Sequence, residues 1–257
     1  MALTLASDIT GSGPALLVLH GLFGSSTNWR SMARKLAAGH AVHALDLRNH
    51  GASPWADTMT YIEMAQDVRH YIEQHGLSNV SVMGHSMGGK TAMALALAYP
   101  KLVERLIVVD IAPHAYSASL NNYAQAMRSI DLMAAASRGE VQRQLQALLP
   151  DAAVAPFLVQ NLVPRNDHFD WRINLAAISA SMPDLTAFPD TLRERVFDKP
   201  VTAIAGALSD YLPDGDARPF KPMFPRVVLE VIDGAAHWVH ADKPQPFFEA
   251  VQRALAR

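Results

Sequence analysis

The chain contains no cysteine, which excludes a disulfide framework, thiol nucleophiles and every cysteine-ligated metal or iron–sulfur centre. It also carries little net charge: 22 Lys and Arg against 24 Asp and Glu leave −2 at pH 7. That balance gives no electrostatic footprint for nucleic acid or for an anionic membrane surface. No apolar run approaches the ~18 residues of a spanning helix. The stretch Met1–Gly13 has no basic start and only Leu3, Leu5 and Ile9 as sizeable apolar side chains, so it does not read as a secretory signal. A cytoplasmic, water-soluble protein is expected. Charged residues are scarce at 18%, and half of the 257 residues are hydrophobic. This is enough apolar material for a large core, and it excludes disorder as the main state. The length suits a single α/β unit.

Four short apolar runs, Ala15–His20, Val42–Leu45, Val80–Met83 and Leu106–Val109, read as buried parallel strands. Helical patterns alternate with them. Trp29–Ala38 follows the first run. Thr60–Gly76 opens with a capping box (Thr60 with Glu63), carries a stripe of Ile62, Ala65, Val68 and Ile72, and ends at a glycine. Met87–Tyr99 closes at Pro100. Such alternation argues for a doubly wound parallel sheet. From Pro113 to about Pro189 the signals are helical, without clear strands. Ser137 with Glu140 forms a second capping box, Asp151 can cap the stretch ending near Val163, and Phe169–Ser181 is apolar but ambiguous in type. The alternation resumes with strands at Val201–Ala205 and Val227–Ile232 and a closing helix at Pro244–Leu255. A helical insertion between two sheet halves is the economical reading, and it would lie over the carboxyl ends of the strands, where open α/β sheets place ligands.

The most informative segment is Val80-Ser-Val-Met-Gly84-His85-Ser86-Met87-Gly88-Gly89-Lys90-Thr91. Gly84-x-Ser86-x-Gly88 fits a nucleophile elbow, a serine on a strained turn between strand and helix. Gly84–Thr91 also fits the phosphate-binding loop G-x-x-x-x-G-K-T. A serine nucleophile needs a base, an oxyanion hole and an acid, in the order serine, acid, histidine. His237 lies just past the last expected strand. The loop His20-Gly21-Leu22-Phe23-Gly24 follows the first core strand and can offer backbone N–H groups to an oxyanion, notably that of Leu22. Met87, at a helix N-terminus, supplies the second donor. A phosphate loop explains neither the His20-Gly21 turn nor the place of His237, so a P-loop nucleotidase using Gly84–Thr91 stays a remote alternative.

These segments resemble the α/β-hydrolase family, in particular the YbfF-type esterases. The matches are His20-Gly-Leu-Phe-Gly24, Asp46-Leu-Arg-Asn-His-Gly-Ala-Ser53, Gly84-His-Ser-Met-Gly-Gly-Lys90, Val109-Asp-Ile-Ala-Pro113 and Gly234-Ala-Ala-His-Trp-Val-His240. The resemblance implies an α/β-hydrolase fold: a mostly parallel, eight-stranded sheet with a helical cap inserted after the sixth strand. Residues 1–112 and 190–257 would form the core and residues 113–189 the cap. It also implies a carboxylesterase-type serine hydrolase that needs no cofactor or metal and acts on a small-molecule ester or thioester, not on nucleic acid or membrane. A thioesterase or a C–C bond hydrolase with the same triad is the alternative.

The acid departs from the commonest family pattern, an aspartate three residues after a glycine ending the penultimate strand. Gly206 plus three is Ser209, with Asp210 one place late. Asp110, ending an earlier strand, is the preferred acid, because the role is geometric: fixing a tautomer and facing the imidazolium. Asp210 is the alternative, and Ser209 a possible auxiliary hydrogen-bonding group. Phe23, Tyr116, Tyr123, Trp171 and Trp238 are candidate pocket residues. His85 reads as packing or hydrogen bonding beside the elbow, and a His237/His240 metal pair as improbable for lack of further ligands. Asp46, Arg48 and His50 read as loop ties, and Asp57 and Asp67 as solvated surface carboxylates.

Overall fold

The computed structural model describes residues 1–116, 120–212 and 215–257. Its strands are β1 (Ser7–Thr10), β2 (Ala15–Leu19), β3 (Ala41–Leu45), β4 (Val80–His85), β5 (Val103–Val109), β6 (Leu162–Arg165), β7 (His168–Trp171), β8 (Val201–Gly206) and β9 (Val227–Ile232). Seven of them form one sheet in the order β1-β3-β2-β4-β5-β8-β9. Only β1 runs antiparallel to its neighbour.

The helices are α1 (Arg30–Leu36), α2 (Tyr61–Gln74), α3 (Met87–Ala98), α4 (Leu120–Ser129), α5 (Arg138–Leu148), α6 (Ala155–Leu158), α7 (Leu175–Ala180), α8 (Met182–Thr186), α9 (Val239–Asp242) and α10 (Pro244–Ala256). Successive strand side chains point to opposite faces. Leu17, Leu19, Val82 and Val108 therefore pack with α2 and α3, whereas Leu16, Val18, Met83 and Ile107 pack with Trp29, α1 and α10. Burial on both faces is why these strands read as unbroken apolar runs. The capping box of α2 forms as expected: Glu63 N–H donates to Thr60 Oγ1, and Thr60 N–H donates to Glu63. No helix among the described residues is long and apolar enough to cross a membrane.

Four expectations change. The sheet has seven strands instead of eight, because the first six residues pair with loops and a helix and not with a strand. Leu3 N–H donates to Asp67 Oδ1 (2.7 Å) and Ala6 N–H to Ser53 Oγ (2.9 Å). With one strand fewer ahead of it, the insertion carrying α4–α8 follows the fifth strand rather than the sixth. The insertion also holds strands: β6 and β7 form an antiparallel ribbon, and the ambiguous stretch Phe169–Ser181 divides into the end of β7 and α7. Finally, Asp67 is fully buried, not solvated. It accepts from Arg48 Nε (2.7 Å) and Nη2 (3.0 Å), an ion pair across 19 residues for which helical periodicity gives no signal.

Candidate active site

β4 ends at His85 and α3 begins at Met87, so Ser86 alone makes the turn, at φ 52° and ψ −118°. Such backbone is strained for a residue with a Cβ. The turn is also too tight for neighbouring side chains: a Cβ on Gly84 would stand 2.1 Å from the carbonyl oxygen of Gly88, and one on Gly88 2.4 Å from that of Leu19. A single residue between strand and helix leaves no loop to cradle a phosphate. Lys90 is likewise committed elsewhere, donating to the carbonyls of Thr186 (2.9 Å) and Ala187 (2.7 Å) at the end of α8. The phosphate-loop reading is thereby set aside. Lys90 instead ties α3 to the insertion, with its ammonium 4.9 Å from the Tyr116 ring centroid and 5.6 Å from that of Tyr61. Burial without a carboxylate partner pulls its pKa down to about 7.

Ser86 opens onto a cavity of about 870 Å³ that His237 also lines. His237 Nδ1–H donates to Asp110 Oδ2 at 2.7 Å. A neutral ring held this way carries its lone pair on Nε2, the atom a base needs. Asp110 is wholly buried and sits just past β5 at φ 53°. Its carboxylate also accepts from Gly206 N–H (3.0 Å) and from the Ser209 hydroxyl. Asp210 does not join this network. Ser209 N–H bonds to the Gly206 carbonyl (3.1 Å), a tight turn that leaves Ser209 buried and Asp210 exposed at the cavity wall.

Two neighbours brace the imidazole. Tyr211 stacks on it at 4.1 Å between centroids and 22° between planes. His85 Nε2–H donates to the His237 carbonyl (2.9 Å), with the two rings 4.6 Å apart. Burial first, then the adjacent imidazoles, hold the His85 pKa well below the usual range. His240 stacks on Trp29 at 4.3 Å. No group of three or more potential metal ligands occurs among the described residues.

The N–H groups of Leu22 and Met87 donate to no protein acceptor among the described residues. Both residues line, with Ser86 and Tyr116, a second cavity of about 20 Å³, roughly the space of one water. The loop that carries Leu22 is braced by two neutral histidines. His20 Nε2 accepts from Leu47 N–H (3.0 Å) and His50 Nε2 from Phe23 N–H (3.2 Å). Each can accept because burial lowers its pKa, to about 3 for His50.

Of the candidate pocket residues, Phe23, Tyr123 and Trp238 line the large cavity. Tyr116 lies behind Ser86, where its hydroxyl accepts from Ala112 N–H and donates to the Tyr211 carbonyl, both at 2.8 Å. Trp171 lines neither cavity. It is buried within the insertion and donates from Nε1 to the Met127 carbonyl (3.3 Å). Phe157, 5.7 Å from Trp238, and Tyr211 were invisible to motif reading, since nothing local marks them.

A family model described as the alpha/beta hydrolase fold matches residues 14–244. The sn-1-specific diacylglycerol lipase ABHD11 of Xenopus laevis is 42% identical over 93% of this chain and 78% of its own length. Esterase YbfF of Escherichia coli K12 is 31% identical over 97% of this chain and 96% of its own. A solved marine microorganism esterase superposes with a TM-score of 0.94 at 36% identity, covering 98% of this chain and all of that one. The protein therefore belongs to the alpha/beta hydrolase fold family, with esterases and lipases among its relatives.

Proposed function

We propose that the protein is a serine hydrolase that cleaves carboxylic esters of small-to-medium acyl or alcohol groups through an acyl-enzyme. The observation that carries this reading is the Asp110-oriented imidazole of His237 facing the same cavity as the elbow serine. Ser86 Oγ attacks the ester carbonyl while His237 Nε2 takes its proton. The carbonyl oxygen becomes an oxyanion held by the N–H groups of Leu22 and Met87, the latter at the N-terminus of α3, where the helix dipole favours negative charge. One such donor is typically worth about 3–4 kcal/mol in the barrier. The imidazolium, facing Asp110, then protonates the leaving alcohol, and the neutral ring activates water to release the acid.

In this reading residues 1–112 and 190–257 are the catalytic core. Residues 113–189 are a cap, which supplies Tyr123, Val154, Phe157 and Gln160 to the cavity wall. The mainly apolar, aromatic lining suits an uncharged acyl or alcohol group, acylglycerols included. The attack is the same on a thioester, so oxygen and thiol leaving groups belong in one assay series. Ser86→Ala should reduce hydrolysis of p-nitrophenyl acetate and butyrate to background, and a fluorophosphonate probe should label the wild type at Ser86 and the variant not at all. Undiminished turnover by Ser86→Ala would refute the proposal.

A further inference from the structure

The oxyanion loop is held in a conformation its own sequence does not favour. Gly24 N–H bonds to the Gly21 carbonyl (2.9 Å), closing a turn with Leu22 and Phe23 at its centre. The left-handed position of that turn falls on Phe23, at φ 63°, where turn chemistry prefers Gly or Asn. A bulky residue there is strained and persists only when its surroundings over-determine it.

Two hydrogen bonds do so. Phe23 N–H donates to His50 Nε2, a ring fixed in turn by Nδ1–H donation to the Arg48 carbonyl (2.9 Å). The Phe23 carbonyl accepts from Asn161 Nδ2 at 2.7 Å. The first tether belongs to the same half of the sheet as the loop itself. The second comes from the insertion, 138 residues further along the chain. Asn161 is itself buried at 4% exposure, spends its other amide proton on the Leu158 carbonyl (3.3 Å), and is pinned by Arg172 N–H to its own carbonyl (2.8 Å). It is therefore rigid, and its backbone links α6 to the β6–β7 ribbon.

We propose that Asn161 is a positioning residue for the oxyanion donor Leu22. By holding the Phe23 carbonyl, it keeps the turn in its strained form and aims the Leu22 N–H at the reacting oxygen. Docking of the insertion and assembly of the oxyanion hole are then one event. Without this tether the turn relaxes toward negative φ at Phe23, and the adjoining peptide rotates with it. The inference rests on the serine-hydrolase reading above.

The test uses the full-length protein with Asn161→Ala, Asn161→Asp and Asn161→Gln. An alkyl trifluoromethyl ketone reports on the hole itself, since serine attack turns its carbonyl into a tetrahedral oxyanion. Expected for Asn161→Ala is a kcat for p-nitrophenyl acetate lowered about tenfold or more, part of the 10²–10³ lost with a whole donor. KM should stay within about twofold, and the ketone should bind weaker by the same factor as kcat. Asn161→Asp, equal in size but acceptor-only, should do at least as much damage, and it carries the comparison if the alanine variant fails to fold. Asn161→Gln, which keeps the amide donor, should recover part of the loss. Unchanged kcat and ketone affinity in both Asn161→Ala and Asn161→Asp would overturn the proposal, as would losses in which KM rises while ketone affinity holds. A wild type that forms no ketone adduct and takes no fluorophosphonate label would sink the serine-hydrolase reading itself, which is a distinguishable result.

Discussion

At the scale of single residues, the proposed mechanism turns on how Asp110 holds the imidazole of His237. Asp110 holds His237 Nδ1–H while also accepting from Gly206 N–H and the Ser209 hydroxyl, so both carboxylate oxygens are aimed and occupied. Asp110→Asn should lower kcat by roughly 10⁴, the cost of presenting the wrong tautomer to the nucleophile. Asp210→Asn should leave kcat within about twofold, because that side chain is exposed and bonds to no histidine. Steady-state assay of the two variants side by side checks both, and a large loss in Asp210→Asn alone would reassign the acid. The preference for Asp110 was legible in the sequence from its place at a strand end. Its bonds to His237 and Ser209 were expected from the sequence as well; the third donor, the Gly206 N–H at the end of β8, 96 residues away, was not.

Among the elements, the elbow was readable and the ties between elements were not. Gly84 and Gly88 are spaced by a steric demand within five residues, and a local demand leaves a local mark in the sequence. Arg48 and Asp67 join the loop after β3 to the middle of α2 with both side chains almost wholly out of water. Glu63 stands 3.2 Å from the same guanidinium. Nothing in either segment names its partner, so Asp67 read as one more polar position on a helix. Asp67→Ala strands a buried guanidinium beside a half-exposed Glu63 and also frees the Leu3 N–H. The expected cost is about 3–5 kcal/mol, measurable as a lower urea midpoint with an unchanged m-value; a shift under about 1 kcal/mol would show the pair to be dispensable. Lys90 teaches the same lesson. Its place in a glycine-rich string suggested phosphate, yet the side chain points to the end of α8.

For the whole molecule, buried and half-buried histidines set the response to acid. His20, His50, His85 and His240 all have pKa values lowered, primarily by burial, to about 3 for His50 and about 4 for His240. In the unfolded chain each returns to its ordinary value of 6.5. Between that value and the folded one, the unfolded state binds more protons, so stability rises with pH across this window and is lost as pH falls through it. The unfolding midpoint should therefore drop steadily from pH 7 toward pH 4. A flat profile over that range would contradict the neutral state assigned to these rings. Protonating His50, whose pKa is held at about 3, also removes the acceptor for Phe23 N–H, so this tie on the Leu22–Phe23 turn should be lost only at the acid extreme.

The sequence by itself determined the doubly wound core, the glycine-flanked turn at Ser86 and the loop that carries Leu22. Each of these is written in short-range terms: apolar runs, helix caps, glycine spacing, and position relative to a strand end. Only the tertiary structure decided the strand count, the ribbon inside the insertion, the exclusion of Trp171 from the cavity, and the tethers from Asp67, Lys90 and Asn161. Those depend on which distant backbone carbonyl or charge meets a given side chain once the core has closed. A hydrogen bond spanning a hundred residues leaves no periodicity behind.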